Sequence, residues 1–230
     1  MSETTMSQAE WREQASPSVV LGEAVLPTTA SLRTYLFVKR VLDVTIALLG
    51  IAFCLPLWAL IAIAIKLESR GPVIFRQRRP GHLGRPFWIL KFRTMCSDAE
   101  ERLQDVMHLN AQEDGSLIRI QDDPRVTRLG RWLRKASLDE TPQLINVLKG
   151  EMSLVGPRPI SRPIPDPRGL WRLQAVPGIT GLWQINGRKE TDTDYMLARD
   201  MMYLQRRCLS LDLYILLMTI PAALRGNGAK

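Results

Sequence analysis

From Val44 to Ile65 the chain carries no Asp, Glu, Lys or Arg, and residues 41–65, VLDVTIALLGIAFCLPLWALIAIAI, are apolar almost throughout. About 20 such residues suffice for a helix to cross a bilayer, so the pattern predicts a membrane segment. Cations flank it on both sides, Lys39 and Arg40 before and Lys66, Arg70, Arg76, Arg78 and Arg79 after. A simple span leaves its Lys and Arg excess on the cytoplasmic side alone; here neither side is short of them. Pro56, near the middle, removes a backbone donor and clashes with the preceding turn. The expectation is a re-entrant helix over residues 32–68, kinked at Leu55-Pro56, that dips into one leaflet and returns to the cytoplasmic face. A straight span is the alternative.

After the apolar run the pattern shortens. PVIFRQRRPGHLGRPFWILKF reads as two strands around a Gly/Pro turn, with Val73, Ile74 and Phe75, then Phe87, Trp88, Ile89 and Leu90, as the apolar runs. Ser97 with Glu100 reads as a capping box opening a helix from Asp98 to about Leu109, before a loop at Gln112 to Ser116. Pro124 suits a first helical position, so a second helix is expected after Asp123, through RVTRLGRWLRK, with Arg125, Arg128, Arg131 and Arg134 recurring along it. Ser137 with Glu140 forms another capping box, opening a helix that Gly150 closes, with Leu138, Leu144, Ile145 and Leu148 as its core face.

Five prolines between Gly156 and Pro167 preclude a long regular element there, and VPGITGLWQINGR is again punctuated by Gly and Pro. The apolar LSLDLYILLMTIPAALRG near the end is short and interrupted by Asp212 and Pro221, which suits an interfacial or packing helix better than a span. The fold class expected is therefore α+β and membrane-associated. A disordered tail (1–31) precedes the membrane helix (32–68) and a compact, mostly helical cytoplasmic domain (69–230) with one short β-hairpin and interfacial helices.

Charge sharpens this picture. The 31 Lys and Arg against 23 Asp and Glu give a net charge of +8. Seven of the cations fall between Arg70 and Met95, where no acid occurs. Directly after a membrane segment, such a run suits anionic headgroups or a phosphorylated ligand. No helix-turn-helix, zinc-finger or RNP-type pattern accompanies it, so nucleic acid is not an expected partner. Glu3, Glu10 and Glu13 occupy the start where a signal peptide needs cations. Three cysteines, Cys54, Cys96 and Cys208, with no close pair, indicate neither a disulfide framework nor a zinc ribbon.

Asp122 and Asp123 precede the arginine-striped segment, where a helix start would keep them ionised and able to bind a divalent cation or act as a nucleophile. The structural alternative makes Asp123 an N-cap and Asp122 a turn residue. Arg125, Arg128 and Arg158 have the forked donors that match phosphate oxygens. Together these residues suit Mg²⁺ and a diphosphate. Asp139 and Glu140 form a second acidic pair, but the Ser137 capping box accounts for Glu140. Phosphate-loop and dinucleotide fingerprints are absent, and the two histidines, His82 and His108, exclude a His-rich metal site.

KRVLDV, GPVIFRQRRPG, FWILKFRTM, DDPRVTRLGRWLRKASLDETPQLINVLKGEMSLVGPRP and VPGITGLWQINGR occur in the order in which similar motifs stand in the bacterial sugar transferases known as monotopic phosphoglycosyl transferases, which this chain resembles from about Lys39 onward. The resemblance implies an Mg²⁺-dependent enzyme of the cytoplasmic membrane, facing the cytoplasm. Such an enzyme moves a sugar-1-phosphate from a UDP-sugar to polyprenyl (undecaprenyl) phosphate and releases UMP, at the start of exopolysaccharide, capsule, O-antigen or glycan synthesis. It places a proline-broken re-entrant helix at Pro56, preceded here by Leu55 where small members often have Ser. The family's catalytic pair is Asp-Glu; aligned with Asp122 and Asp123, the first is the covalent nucleophile and the second is one methylene short. Arg158, Lys91 and Arg93 are the further phosphate contacts expected, and a second copy of the chain is left open as a partner. The rival readings are a glycosyltransferase that releases UDP and a basic, non-enzymatic membrane scaffold.

Overall fold

The computed structural model describes residues 30–109, 120, 122–160, 167–185 and 193–224. The expected tail, apart from the first turn of the opening helix, and the loop at Gln112 to Ser116 lie outside the described residues. Helix α1 (Ala30–Glu68) takes in the whole apolar run and is long and apolar enough to cross a membrane. Pro56, on its exposed side, lies within this one helix. A proline forfeits one helical hydrogen bond; contacts on both sides of it hold the two halves in one element.

Those contacts follow one stripe. The Tyr35 hydroxyl and Lys39 Nζ both donate to Asp212, each at 2.9 Å. Arg40 donates to the carbonyls of Val147 and Leu148 at 2.6 and 2.8 Å. Asp43 accepts from Ser153 Oγ at 2.7 Å and Leu154 N at 3.1 Å. Ala47 is fully buried, Trp58 Nε1 donates to Thr141 Oγ1 at 2.9 Å, and Ile61 and Ile65 pack with Phe92 and Leu133. Glu68 accepts from the backbone N–H of Leu129. Spacings of three and four put these side chains on one helix face. The other face leaves Phe37, Leu49, Phe53, Leu60, Ile63 and Leu67 open, Phe53 at 85% of its full exposure.

Strands β1 (Ile74–Pro80) and β2 (Pro86–Phe92) form the expected hairpin, antiparallel, with Arg79 opposite Phe87 and Phe75 opposite Lys91. Alternation along the strands places Gln77, Arg79, Ile89 and Lys91 on one face. On the other, Arg78 lies over the exposed Trp88 ring, 5.6 Å from its centre.

Three expected helix starts are corrected. The segment after Ser97 is mostly turns, with α2 reduced to Leu103–Val106 and a following 3-10 turn at Met107–Leu109. The Ala99 carbonyl, which a helix starting at Asp98 would need, is taken by Arg125 Nη1 at 3.0 Å. Helix α3 (Arg128–Lys135) begins later than Pro124 suggested, because Val126 pairs with Met95 and Thr127 N bonds Thr94 O. Its N-cap is Thr127, whose Oγ1 accepts from Gly130 N at 2.9 Å, so Asp123 is not the cap. Ser137 makes no capping bond either. It adopts a left-handed backbone, φ 55°, ahead of a 3-10 turn (Leu138–Glu140) and helix α4 (Gln143–Lys149), which Gly150 closes at φ 80° as expected.

β3 (Ser153–Val155) pairs in parallel with β4 (Gly178–Thr180), and α5 (Pro167–Trp171), α6 (Leu182–Ile185), α7 (Thr193–Arg206) and α8 (Leu209–Leu224) complete the chain. The main core gathers Ala47, Phe87, Ile89, Val147, Met152, Leu154, Val155, Leu182, Tyr203 and Ile215, so helix α1 is built into the domain's interior side. Helix α8 includes Pro221 and leaves Leu213, Leu217 and Ile220 exposed, a second apolar surface.

Candidate active site

The left-handed Ser137 turns the chain so that Asp139 is buried and Glu140 enters a cleft between β2, α4 and the Gly156-Pro157-Arg158-Pro159 loop. There Lys91 Nζ and Arg158 Nη2 donate to the same carboxylate oxygen, Glu140 Oε1, at 2.7 and 2.6 Å. Burial alone would raise the Glu140 carboxyl, but Arg158 and Lys91 outweigh it and hold it far below the usual range. Asp139 moves the other way. Burial, aided by the neighbouring Glu140 charge, pushes its carboxyl up against the pull of Lys91, Arg134 and Arg158. Two adjacent acids are thus separated in role: one fixed as an anion, the other with no charged partner in direct contact among the described residues.

Three supports fix this geometry. Asn146, fully buried, accepts from Leu90 N at 3.1 Å and donates to Trp88 O at 2.7 Å, pinning α4 to the edge of β2 so that Lys91 meets Glu140. Arg172 donates to the Arg158 carbonyl at 2.8 Å and to Asp200 at 2.5 Å from a buried position. The Arg158 loop docks on β4, with Gly156 N bonding Thr180 O and Gly178 N bonding Pro157 O, both at 2.9 Å. A Cβ at Gly178 would stand 2.1 Å from Gly156 N, so only glycine allows this approach.

The other sequence candidates lie elsewhere. Asp122 is exposed with a left-handed backbone, φ 54°. Asp123 is buried and clamped by Arg125, whose Nη2 stands 2.7 Å from Oδ2 and whose backbone N and Nε stand 3.0 Å from Oδ1. Arg125 and its bonds lower the Asp123 carboxyl despite burial, and with the Ala99 bond they tie this turn to the one after Cys96. Arg128 is exposed on α3, and Arg93 is buried, bonding Ser69 O and Oγ at 2.8 Å. Of the five expected phosphate contacts, only Lys91 and Arg158 converge. Sequence reading weighed Asp139 and Glu140 but set them aside because a capping box accounted for Glu140, and it gave no site role to Arg134 or Asn146. The available signal was the Asp-Glu dipeptide itself, which occurs once in the chain, at Asp139-Glu140.

No group of three or more His, Cys, Asp or Glu side chains suited to a metal occurs among the described residues. Mg²⁺ is commonly held by one or two carboxylates with substrate phosphates and water completing the shell. Asp139 fits that use, whereas Asp123 already spends both oxygens on Arg125.

Residues 34–226 match the family described as bacterial sugar transferase, and the chain belongs to it. It is 46% identical over 204 residues to the UDP-glucose:undecaprenyl-phosphate glucose-1-phosphate transferase of Caulobacter vibrioides, covering 83% of this chain and 71% of that protein. It is 42% identical over 197 residues to the exopolysaccharide production protein ExoY of Sinorhizobium fredii, covering 83% and 87%. The galactosyl transferase CpsE of Streptococcus agalactiae is 42% identical over 207 residues; the match takes in 86% of this chain but 44% of that longer protein.

Proposed function

We propose that this chain transfers a sugar-1-phosphate from a UDP-sugar to undecaprenyl phosphate, with Asp139 as the covalent nucleophile and Glu140 as the anion that arranges Lys91 and Arg158. The observation that carries this reading is the pairing of buried Asp139 with half-buried Glu140 amid Lys91, Arg134 and Arg158. It replaces Asp122 and Asp123 in those roles, since a nucleophile needs a free carboxylate beside phosphate-binding cations.

In the first half-reaction an Asp139 oxygen attacks the sugar-linked phosphorus, the bond from that phosphorus to the bridging oxygen breaks, and UMP leaves with that oxygen. In the second, an oxygen of undecaprenyl phosphate attacks the same phosphorus, the Asp139–phosphorus bond breaks, and a lipid diphosphate sugar is formed. Carboxylate attack on a diphosphate brings like charges together, so cations must offset the repulsion where it grows. Lys91, Arg134 and Arg158 supply that field, and Glu140 keeps the first and last from closing onto Asp139. Asp139, together with substrate phosphate oxygens, would hold Mg²⁺, which would supply further charge neutralisation of the diphosphate. Separating the reaction into two displacements lets one carboxylate serve a soluble and a lipid substrate in turn.

The anchoring that suits this chemistry is monotopic. Because α1 touches the domain from Tyr35 to Glu68, a full crossing would carry the domain's polar surface into hydrocarbon. Lying in the cytoplasmic leaflet of the inner membrane, with its outer apolar face in lipid, the helix leaves the domain at headgroup level. This puts the site where a polyprenyl phosphate presents its charge, without requiring a sharp kink at Pro56.

The test is to incubate purified protein with Mg²⁺, undecaprenyl phosphate and a panel of UDP-sugars while detecting UMP and UDP separately. Lipid-dependent UMP is expected. UDP would instead indicate direct glycosyl transfer, and no nucleotide with any donor would leave the scaffold reading.

A further inference from the structure

Arg79 has a place in the candidate site that neither the sequence motifs nor the acid pair explains. It lies on the same face of the hairpin as Lys91 and lines one small cavity together with Lys91, Gln143, Arg158 and Gly178. Its Nη1 donates to Pro159 O at 2.8 Å, while Nε and Nη2 donate to Gln77 Oε1 at 3.0 and 2.7 Å. These acceptors are all neutral, and Arg79 makes no ion pair among the described residues.

The charge balance of the cavity is uneven. Arg79, Lys91 and Arg158 bring three guanidinium or ammonium groups, and among the described residues the one carboxylate bonded directly to any of them is Glu140. A partly buried cation without a counterion is costly unless a ligand supplies the negative charge. Burial first, and the nearby Arg158 charge second, push Arg79 down to about 10. A guanidinium has five N–H donors, and the three bonds to Gln77 and Pro159 leave donors to spare.

We infer that Arg79 and Arg158 form a two-guanidinium phosphate clamp, in which an incoming phosphate group bridges the pair and supplies the charge the cavity lacks. The inference rests on the phosphosugar transferase reading and deepens it by assigning a substrate contact. The Pro159 bond gives it a second consequence: Arg79 links β1 to the loop that carries Arg158, so the clamp is preassembled before the ligand arrives.

Binding tests it directly, without turnover. Full-length chain in nanodiscs would be titrated calorimetrically with UDP and, separately, with farnesyl phosphate, comparing the wild type with Arg79→Gln and Arg79→Lys. A tenfold or larger loss of affinity is expected in Arg79→Gln for at least one ligand. Loss confined to UDP assigns the clamp to the donor diphosphate; loss confined to farnesyl phosphate assigns it to the lipid acceptor. Arg79→Lys cannot rebuild the fork to Gln77 but keeps the charge that attracts the phosphate, so it should recover part of the lost affinity. Unchanged binding in Arg79→Gln overturns the clamp, and so does an Arg79→Lys variant that binds no better than Arg79→Gln, since Arg79 would then merely hold the Pro159 loop. Because ligand affinity is the readout, a clamp in an enzyme that releases no UMP would sink the proposed reaction and leave this inference standing.

Discussion

Arg158 reaches Glu140 with both terminal nitrogens, at 2.6 and 3.5 Å, across a stretch of chain that includes α4 and β3. The contact makes Glu140 a fixed anion at neutral pH, and its loss is expected to be felt in stability as well as rate. Glu140→Gln leaves Lys91 and Arg158 partly buried without their counterion, a cost of about 3 kcal/mol. The sign with pH follows from its depressed carboxyl. The stabilisation is complete above the unfolded Glu value and is lost as pH falls through the lower folded one. Thermal melts of wild type and Glu140→Gln should therefore differ most near neutrality and converge in acid; parallel melting curves at all pH values would remove Glu140 from this role.

Asp139 is expected to behave in the opposite sense. Its carboxyl is raised by burial and by Glu140, so the folded state holds that proton more tightly than the unfolded chain does. Stability from this group is full below the unfolded Asp value and declines as pH rises through the raised folded one. Asp139→Asn, which stays neutral, should melt higher than wild type at pH 7 to 8 while forming no phosphosugar adduct with a radiolabelled UDP-sugar. A normal adduct in this variant would take the nucleophile away from Asp139. In the wild type the same shift predicts that adduct formation rises with pH along an acidic limb set by Asp139.

The elements with a strong local signal were legible in the chain. The long apolar run and the hairpin around Gly81 appear where hydrophobic patterning put them, and Gly150 ends α4 as a left-handed cap. The errors came from reading capping pairs without their surroundings. Ser137 with Glu140 has the spacing of a capping box, yet the competing attraction of Lys91 and Arg158, distant in sequence, draws Glu140 inward. The same long-range competition moves the start of α3, because Val126 is drafted into a bridge with Met95. Lys91 and Arg158 were legible as candidate phosphate contacts; their convergence on Glu140, and the position of Arg79 beside them, depends on strand register and on the close approach of Gly156 and Gly178.

The Asp123-Arg125 pair provides an internal control for the two acidic pairs. Asp123→Asn breaks a buried bidentate contact and should lower the melting temperature, since removing one member of a buried pair leaves an uncompensated charge. Adduct formation should persist at a temperature where the variant is folded. Asp122→Asn, at an exposed position, should be near neutral in both assays. Loss of the adduct in either folded variant would return the chemistry to Asp122 and Asp123.

Gly178 couples the packing of β3 and β4 to the position of Arg158. Gly178→Ala forces a methyl group to within 2.1 Å of Gly156 N, a distance that can be relieved only if the loop moves off the strand. Overpacking of this kind costs about 1–3 kcal/mol, and the displaced loop should carry Arg158 away from Glu140. The expected result is a modest fall in melting temperature with a much larger fall in kcat. A variant with lowered stability and unchanged kcat would mean that Arg158 does not need this loop position.

The contact stripe of α1 gives the last expectation, which concerns topology. Arg33 lies in the first turn of the helix and Arg70 just beyond its end; both are exposed, and Tyr35 and Glu68 beside them are bound to the same domain. If the helix lies in one leaflet, thiols introduced as Arg33→Cys and Arg70→Cys should react with an impermeant maleimide from the same side of sealed inner-membrane vesicles. Inverted vesicles, which expose the cytoplasmic face, should label both; right-side-out spheroplasts should label neither. Labelling of one site from each side would mean a crossing helix, and the contacts on one half of the stripe, either Tyr35 with Asp212 or Glu68 with Leu129, would then have to be absent in the membrane.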